Sequence, residues 1–280
     1  MPDADMQLSI VIVTYNSAAH IDACLRSIVE HPPRVTHEIL VVDNASEDGT
    51  ADAVRAQWTG VRVIDAGGNV GFARANNLGI ASSFGTLILL LNPDTVVPPG
   101  AIDAMAAVLD ARPDVAIVGP RLVDGEGRAE LSFGRMIAPF AELRQKVLVR
   151  GSAGGGPLAS YVESVTTRER EVDWISVACL LVRRADAEAA GRLDERYFMY
   201  AEDVDFCAAV RALGRRVLFT PAAEVVHLRG QSRATASAAA EQAYRRSQLA
   251  FYEKHHPAWA PWLRTYLKLR GKLPDNRSTR

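Results

Sequence analysis

The amino-acid sequence predicts an α/β fold with a mostly parallel central sheet flanked by helices. Short apolar segments alternate with segments of helical periodicity through about the first 120 of its 280 residues. The composition, 48% hydrophobic and 23% charged residues, is that of an ordinary globular chain. Because alternating strands and helices form βαβ units, the strands should be parallel, with ligands bound at their carboxyl ends.

The predicted elements follow this periodicity in order along the chain. Apolar segments predict strands at Leu8–Val13, Glu38–Val42, Val61–Ile64, Thr86–Leu91 and Val115–Val118. Helical spacing predicts helices at Ala18–Glu30, Thr50–Gln57, Gly71–Ser83 and Pro99–Ala111. The pattern weakens between residues 121 and 173, where the glycine-rich stretch 151–157 predicts a mobile loop. It returns as a strand at Trp174–Arg183, a helix at Glu202–Leu213 and two short strands within Arg216–His227.

Charge and cysteine content exclude several classes of protein. Thirty-two Lys and Arg balance 33 Asp and Glu, which argues against a nucleic-acid partner. Three widely spaced cysteines argue against a disulfide framework or a structural zinc site. The start of the chain is acidic where a signal peptide would be basic, and the apolar segments fall far short of the roughly 20 residues that span a bilayer. We therefore expect a cytoplasmic enzyme.

Small polar residues and glycines follow four consecutive predicted strands. Carboxylate and amide groups can bind a base and ribose, while glycines let backbone amides approach phosphate. For any one position a turn residue is an equal alternative, but the set on one edge favours a nucleotide-binding site. Neither a G-x-x-x-x-G-K-[ST] motif nor a G-x-G-x-x-G motif after the first strand is present, which argues against a P-loop or nicotinamide enzyme. The residues of this set are Thr14, Tyr15, Asn16, Asp43, Asn44, Gly67, Gly68, Asn69, Gly71, Asn92 and Asp94.

Asp94 and His227 are candidate metal ligands. Asp94 follows an apolar strand, and Pro93 fixes the backbone beside it. A carboxylate at a rigid strand end suits Mg²⁺ or Mn²⁺ held together with substrate phosphates. His227 ends the apolar segment that begins at Glu224, and beside a metal its imidazole would be a further ligand. The alternatives are a turn-forming Asp94 and a structural His227.

Glu202 and Asp203 are candidate catalytic acids at the start of a predicted helix. Acids in the first turn are also favoured by the helix dipole, which is the structural alternative. Asp203 shares a helical face with Phe206 and Val210, so we expect it at the mouth of a cleft, where a general base can be held. Glu202 is expected to lie off that buried face.

The last 40 residues are basic and aromatic. Between residues 241 and 280 there are nine Lys or Arg against three acids, with Trp259, Trp262 and Tyr266 between them. One interpretation is a helix that lies on an anionic membrane. The other is a packed C-terminal helix with a solvated basic face, and such a helix would also suit an oligomer.

Seven segments in this order resemble the inverting family-2 glycosyltransferases with a GT-A fold, especially the bacterial rhamnosyltransferase-like branch. The resemblance covers about residues 7–256 and is specific through the order of its motifs. The matching segments are SIVIVTYN (9–16), VVDNASEDGT (41–50), NVGFARANNLG (69–79), LLNPDT (90–95), CLLVR (179–183), FMYAEDVDF (198–206) and VVHLRGQS (225–232).

The resemblance implies a role for each matched position. It implies a Rossmann-like central sheet in a domain of residues 1–235, with 7–120 binding the donor, 121–235 the acceptor, and a helical extension at 236–280. Asp203 would be the catalytic base, beside Glu202, and Asp94 with His227 would hold Mg²⁺ or Mn²⁺. Asp43 and Asn44 would bind base and ribose. Further substrate contacts are expected from Thr14, Tyr15, Asn16, Gly68, Asn69, Gly71, Arg74, Asn76, Asn92 and Trp174.

The implied activity is transfer of a sugar, with L-rhamnose one candidate, from a dTDP- or UDP-linked donor to a glycan or polyprenyl-linked acceptor in surface-polysaccharide synthesis. The enzyme would work in the cytoplasm or at the inner face of the cell membrane. Two departures from the family pattern are Asn92, where the first acid of a D-x-D motif would stand, and Val177, which would narrow the acceptor pocket. The alternatives are a sugar nucleotidyltransferase, for which the loop after the first strand lacks a phosphate-binding Lys or Arg, and a nucleotide-sugar-binding protein without transfer activity.

Overall fold

The computed structural model describes residues 6–138, 156–228 and 238–274. Its strands are β1 (Leu8–Thr14), β2 (His37–Asp43), β3 (Val61–Asp65), β4 (Leu87–Leu91), β5 (Thr95–Val96), β6 (Val115–Val123), β7 (Ala129–Glu130), β8 (Phe133–Gly134), β9 (Arg170–Glu171), β10 (Trp174–Ile175), β11 (Cys179–Arg183) and β12 (Arg216–His227). Its helices are α1 (Ile21–Val29), α2 (Thr50–Gln57), α3 (Phe72–Ala81), α4 (Ala101–Ala111), α5 (Pro157–Val165), α6 (Arg184–Ala189), α7 (Glu202–Ala212), α8 (Ala238–His255) and α9 (Ala260–Leu269).

One sheet with the strand order β3-β2-β1-β4-β11-β6-β12-β5 organises the described residues. Strand β1 pairs in parallel with β2 and β4, β2 with β3, and β6 with β12. Strand β11 is antiparallel to both β4 and β6, so it begins where β4 ends. The prediction of a mostly parallel sheet is confirmed, and the carboxyl ends of β1, β2 and β4 share one edge with the start of β11.

Helices cover both faces of the sheet, which is why its strands are nearly continuous apolar runs. Ile10 and Ile12 of β1 pack in one layer with residues of α1 and α4. The alternate residues Val11 and Val13 pack in the other layer with residues of α3 and α7. The two layers fix the sheet edge that the polar loops occupy.

Two predicted strand boundaries are wrong. The strand predicted at Trp174–Arg183 is divided into β10, which pairs with β8 in a separate two-stranded sheet, and β11, which pairs with β4 and β6 of the main sheet. The two short strands predicted within Arg216–His227 form one strand, β12, with a register shift between Thr220 and Glu224. Parallel pairing with β6 on both sides of this shift keeps the strand continuous.

The C-terminal helices pack against α7. Phe251 and Tyr252 of α8 and Ala260 of α9 form a buried cluster with Val204 of α7 and with Tyr197. This confirms a helical C-terminal segment, although the boundary predicted at residue 235 lies outside the described residues, as does most of the glycine-rich stretch 151–157. In the described part of the chain, no helix combines the length and the apolarity needed to cross a membrane.

Candidate active site

The loops after β1 and β2 are tied together around the buried Asp43. The hydroxyl of Thr14 donates to Asp43 Oδ1 at 3.1 Å, and the backbone amide of Ser46 donates to Asp43 Oδ2, also at 3.1 Å. Asn16 accepts a 2.8 Å hydrogen bond from the amide of Glu47 through its side-chain oxygen. These contacts hold the Asp43 carboxylate in one orientation at the carboxyl edge of the sheet.

Two neighbouring residues at the end of β1 differ in their solvent exposure. Thr14 is fully buried, whereas Tyr15 is 52% exposed beside it. A half-exposed aromatic ring next to a fixed carboxylate is suited to contact with a base, and this role of Tyr15 stays a prediction.

Asn44 connects the second loop to the third. Its side-chain amide donates to Asn69 Oδ1 at 3.0 Å, and its side-chain oxygen accepts from the amide of Val70 at 2.8 Å. Asn44 is buried, so both ends of its amide organise the loop before Gly71. The ribose contact predicted for Asn44 is untested, and the structure adds a loop-holding role.

Gly71, at the end of the third loop, lies against Phe198 in the second half of the chain. Its φ is +89°, a left-handed value that disfavours side chains. A Cβ atom there would lie 2.7 Å from the Phe198 ring and 2.8 Å from the Phe198 carbonyl oxygen. Glycine is therefore required by both backbone conformation and space.

Two predicted substrate contacts lie on α3 with different surroundings. Arg74 is exposed and lies 3.8 Å from the carboxylate of Glu195. Asn76 is buried, and its side-chain amide donates to the carbonyl of Phe72 at 2.9 Å. The structure thus places Asn76 in the helix packing, and a direct substrate contact by either residue stays a prediction.

The segment before α7 has a strained backbone. Tyr200 and Ala201 have φ values of +72° and +69°, in the left-handed region that costs a non-glycine residue about 1–3 kcal/mol. Helix α7 then begins directly with Glu202 and Asp203. Strain of this kind persists where surrounding contacts fix the backbone. Here the strained residues directly precede the first turn of α7 and set its direction.

The Asp203 carboxylate lies against two backbone amides. Oδ1 accepts from Val204 at 2.8 Å, and the carboxylate also accepts from Val177. Burial raises the pKa of Asp203, although these hydrogen bonds oppose the shift. A carboxylate with a raised pKa is a stronger base than an exposed one, provided that it remains ionised.

Glu202 is buried, so its predicted position off the inward face is wrong. Only one face of α7 was expected to be covered, but Val204 and Asp205 are also buried because α8 and α9 pack on a second face. Glu202 Oε2 has no hydrogen-bond partner among the described residues. Burial, together with the charge of Asp203, raises the pKa of Glu202 and favours its neutral form.

Asp94 and His227 meet at the other end of the same edge. His227 Nε2 lies 3.3 Å from Asp94 Oδ1, and both side chains are mostly buried. Burial alone would lower the pKa of His227, but hydrogen bonds to Asp94 and Glu130 and their negative charges raise it to about 9. The side-chain oxygen of Asn92 is buried without a hydrogen-bond partner among the described residues.

This donor set fits Mg²⁺ or Mn²⁺ completed by substrate oxygens. Asp94 offers a carboxylate, His227 an imidazole nitrogen and Asn92 an amide oxygen that the described fold leaves unsatisfied. Among residues 6–138, 156–228 and 238–274, no three His, Cys, Asp or Glu side chains are grouped to hold a metal ion. The protein therefore supplies a partial site, as Mg²⁺ sites filled by substrate phosphates do.

One short segment connects Asp203 to this partial site. The amide of Asn92 donates to the carbonyl of Ala178 at 3.0 Å, and the amide of the preceding residue, Val177, donates to Asp203. Val177 was predicted to narrow the acceptor pocket, and its backbone amide lies against the Asp203 carboxylate. The break between β10 and β11 thus brings Asp203 beside the loop that carries Asp94.

Trp174 and Glu130 also lie at this edge of the sheet. The Trp174 indole donates to the carbonyl of Arg135 at 2.9 Å and packs over Gly134, so its half-buried ring forms a wall beside β8. Glu130 was not predicted, although its Oε2 lies 3.1 Å from His227 Nδ1. The alternation of polar and apolar residues in Ala129–Phe133 was the one available signal for a short strand there. The motif VVHLRGQS is described only through Leu228.

A parallel sheet interrupted by one antiparallel strand, with acids gathered at its carboxyl edge, defines a glycosyltransferase of the GT-A class. A mannosyltransferase from Pyrobaculum calidifontis, solved with GDP-Man and Mn²⁺, shares this fold with a TM-score of 0.60 at 20% identity, over 96% of this chain and 71% of that one. GalNAc-T7, solved with UDP, GalNAc and Mn²⁺, gives 0.59 at 16% identity, over 80% of this chain and 44% of that one. Residues 9–157 match the family model "Glycosyl transferase family 2", and the chain belongs to that family.

Two of the curated relatives are rhamnosyltransferases. The N-acetylglucosaminyl-diphospho-decaprenol L-rhamnosyltransferase of Mycobacterium tuberculosis is 32% identical, over 98% of this chain and 94% of its own length. Rhamnosyltransferase WbbL of Escherichia coli is 24% identical, over 78% of this chain and 82% of its own length. The predicted resemblance, fold class and enzyme class are confirmed.

Proposed function

We propose that this glycosyltransferase is inverting and depends on a divalent metal, and that it transfers L-rhamnose from a dTDP- or UDP-linked donor to a lipid-linked glycan. The observation that carries the proposal is the Val177–Ala178 segment, which hydrogen bonds to Asp203 on one side and to Asn92 on the other. An acceptor hydroxyl can attack the anomeric carbon of a bound donor only if the general base lies close to the residues that bind the donor phosphates.

Donor binding is assigned to the loops after β1, β2 and β3. Asp43, Asn44 and Asn69 would bind the base and ribose, and the glycines of the third loop would let backbone amides approach the diphosphate. Asp94 and His227, with the Asn92 side-chain oxygen, would hold Mg²⁺ or Mn²⁺. When bound, that metal ion would neutralise charge on the departing nucleoside diphosphate.

Asp203 is assigned as the general base. It would accept the proton of an acceptor hydroxyl while that oxygen bonds to the anomeric carbon and the carbon–diphosphate bond breaks on the opposite side, which inverts the anomeric centre. Burial favours neutral Glu202, so of the neighbouring pair Glu202 and Asp203 only Asp203 would carry a negative charge. This arrangement keeps the charge on the base.

The sugar and the acceptor are proposed from similarity. The mycobacterial relative is named for transfer of L-rhamnose to N-acetylglucosaminyl-diphospho-decaprenol, and its identity extends over nearly both full lengths. We assign this chain a polyprenyl-diphosphate-linked acceptor of the same kind, in cell-surface polysaccharide synthesis at the cytoplasmic face of the membrane.

The surface of α9 supports a peripheral contact with that membrane. Trp262, Tyr266 and Leu269 are spaced to share one helical face and are 71%, 55% and 83% exposed. Leu267, by contrast, is buried against the protein. One side of the helix is thus packed against the protein, as one interpretation of the sequence predicted. The other side presents apolar residues among exposed basic ones, as an interfacial helix does.

A donor screen with a defined acceptor tests the proposal. Purified protein, a short polyprenyl-diphosphate-N-acetylglucosamine and Mn²⁺ or Mg²⁺ would be incubated with a panel of nucleotide sugars, and both product and released nucleoside diphosphate would be measured. We expect one rhamnose donor to be used, the product anomer to be inverted, and chelation to abolish transfer. Asp203→Asn should lose about 10²–10⁴-fold in rate.

The matched control is Asp110→Asn, which removes an exposed acid on α4. Its rate should equal that of the unmodified chain. If Asp203→Asn transferred the sugar at the unmodified rate, the general base would have to be another residue. Donor binding without transfer to any acceptor would favour a nucleotide-sugar-binding protein.

A further inference from the structure

Three side chains form a line at the proposed metal site: Asp94 from the turn before β5, His227 from the end of β12, and Glu130 from β7, on the other side of β6. His227 Nε2 faces Asp94 Oδ1 at 3.3 Å, and the other ring nitrogen, Nδ1, faces Glu130 Oε2 at 3.1 Å. The exposed fractions of the three side chains are 19% for Asp94, 14% for His227 and 8% for Glu130. Both nitrogens of one imidazole are therefore held by carboxylates in a mostly buried setting.

The sheet register explains why Glu130 reaches the histidine. Strand β7 returns antiparallel to β6, with Glu130 opposite Leu122, and Leu122 is paired with Val225 of β12. Paired residues point to the same side of a sheet, and His227 lies two residues beyond Val225 on that same side. The turn is fixed by Asp124, whose amide donates to the carbonyl of Arg128 at 2.9 Å.

We infer that Glu130 is a positioning residue, which accepts the Nδ1 proton of His227 and so keeps Nε2 directed at the metal shared with Asp94. This inference rests on the metal dependence proposed above. A neutral imidazole carries its proton on one nitrogen and coordinates through the other, so a carboxylate at Nδ1 selects the form whose Nε2 lone pair is available. The contact with Glu130 also fixes the orientation of the imidazole ring, which could rotate if the histidine stood alone at the end of the strand.

Glu130 is not placed to be a third ligand. It contacts the ring nitrogen opposite the one that faces Asp94, so the imidazole stands between the two carboxylates. A metal ion bound to Asp94 and Nε2 would therefore lie on the far side of the ring from Glu130. This separation assigns Glu130 to orientation of the ligand.

The first test measures Mn²⁺ binding to the full-length protein, with saturating UDP or dTDP present, from the electron paramagnetic resonance signal of free Mn²⁺. Glu130→Ala should weaken binding about 10–100-fold, the range found when partners of metal-bound histidines are removed. Glu130→Gln keeps an acceptor for the Nδ1 proton and should retain more affinity than Glu130→Ala. The matched control, Glu126→Ala, removes a solvent-facing acid from the same hairpin and should bind Mn²⁺ as the unmodified protein does.

A spectroscopic readout separates orientation from general damage to the fold. In protein with ¹⁵N-labelled histidine and saturating Mg²⁺ and nucleotide, the His227 signals should report a protonated Nδ1 and an unprotonated Nε2. In Glu130→Gln this pattern should persist, whereas Glu130→Ala should show both tautomers. Transfer assays should show a raised KM for the metal in Glu130→Ala, with most of kcat restored at saturating metal.

The outcomes distinguish this inference from the function on which it rests. If Asp94→Asn weakens Mn²⁺ binding but both Glu130 variants bind it normally, the role of Glu130 is overturned and the metal site stands. An unprotonated Nδ1 in the unmodified protein would also overturn it. If the unmodified protein binds no Mn²⁺ with either nucleotide, both the inference and the proposed metal dependence fail.

Discussion

The backbone amide of Phe72 donates a 2.6 Å hydrogen bond to the carbonyl oxygen of Phe198. These residues are 126 positions apart, yet they join the start of α3, at the end of the third donor loop, to the segment that leads into Glu202 and Asp203. The loop proposed to bind the donor and the proposed base, Asp203, are thereby fixed relative to one another through backbone atoms, which few side-chain substitutions could disturb.

Gly71→Ala should disrupt this junction. The new methyl group would meet the Phe198 ring and carbonyl, and the φ of +89° would be strained. We expect a loss of about 1–3 kcal/mol in the free energy of unfolding, measured in urea, and weaker nucleotide binding by calorimetry. Gly60→Ala is the control, because a Cβ there meets nothing within 4 Å. Equal effects of the two substitutions would argue against the junction.

The pH dependence of transfer should reflect the raised pKa of Asp203. The base acts when ionised, so kcat/KM should fall as the pH drops through a pKa well above the roughly 3.9 of an exposed aspartate. The measurement is kcat/KM between pH 5 and 8 at saturating metal and constant ionic strength. A flat profile down to pH 5 would contradict a buried carboxylate as the base.

Asp203→Asn should stabilise the fold while it slows transfer. Because burial raises the pKa of Asp203 above its value in the unfolded chain, ionisation favours unfolding as the pH rises from the unfolded pKa to the folded one. Asparagine removes this ionisation, so the free energy of unfolding at pH 8 should increase by about 1–2 kcal/mol. Denaturant curves at pH 4 and pH 8 check the sign, since the gain should be smaller at pH 4. A loss of stability at pH 8 would contradict it.

Asp205 anchors the C-terminal helix to α7. The buried carboxylate accepts hydrogen bonds from Tyr197 at 3.2 Å and Lys254 at 2.8 Å, and lies 2.6 Å from His255 Nε2. Asp205→Ala would leave these partners without their shared acceptor, so we expect a loss of about 3–5 kcal/mol in stability and faster hydrogen exchange in α8. Asp22→Ala, which removes an exposed pair with Arg26, is the control. Unchanged exchange in α8 would remove the anchoring role.

The exposed face of α9 should mediate membrane binding. Trp262→Ser combined with Leu269→Ser removes two outward apolar side chains without touching Leu267. Co-sedimentation with vesicles rich in anionic lipid should fall several-fold, and binding by the unmodified protein should weaken as salt is added. Phe84→Ser, which removes a 49% exposed ring elsewhere on the surface, is the control. Equal sedimentation of the double variant would leave α9 as a packed helix only.

The sequence predicted the first half of the fold better than the second for a physical reason. From β1 to α4 each element is long enough to show its own period, so the predicted helices and strands differ from the observed ones by few residues. The break after β10 arises because β10 pairs with β8 while β11 pairs with β4 and β6, and such a choice of distant partners leaves no local pattern.

The candidate site shows the same division. Asp94, Asp203 and His227 were predicted because each sits at the end of an element. Glu130 was missed because its strand is only two residues long, and the burial of Glu202 was missed because the helices that pack on a second face of α7 begin 26 residues after α7 ends, at Ala238.

The Val177–Ala178 segment links Asp203, the proposed base, to the loop that carries Asp94, the proposed metal ligand. Asn92 donates to the carbonyl of Ala178, and the amide that hydrogen bonds to Asp203 lies only two peptide units earlier in the chain. A displacement of one side of the proposed site is therefore transmitted to the other through a few backbone bonds, so we expect the acceptor and donor sides to keep their spacing as substrates exchange.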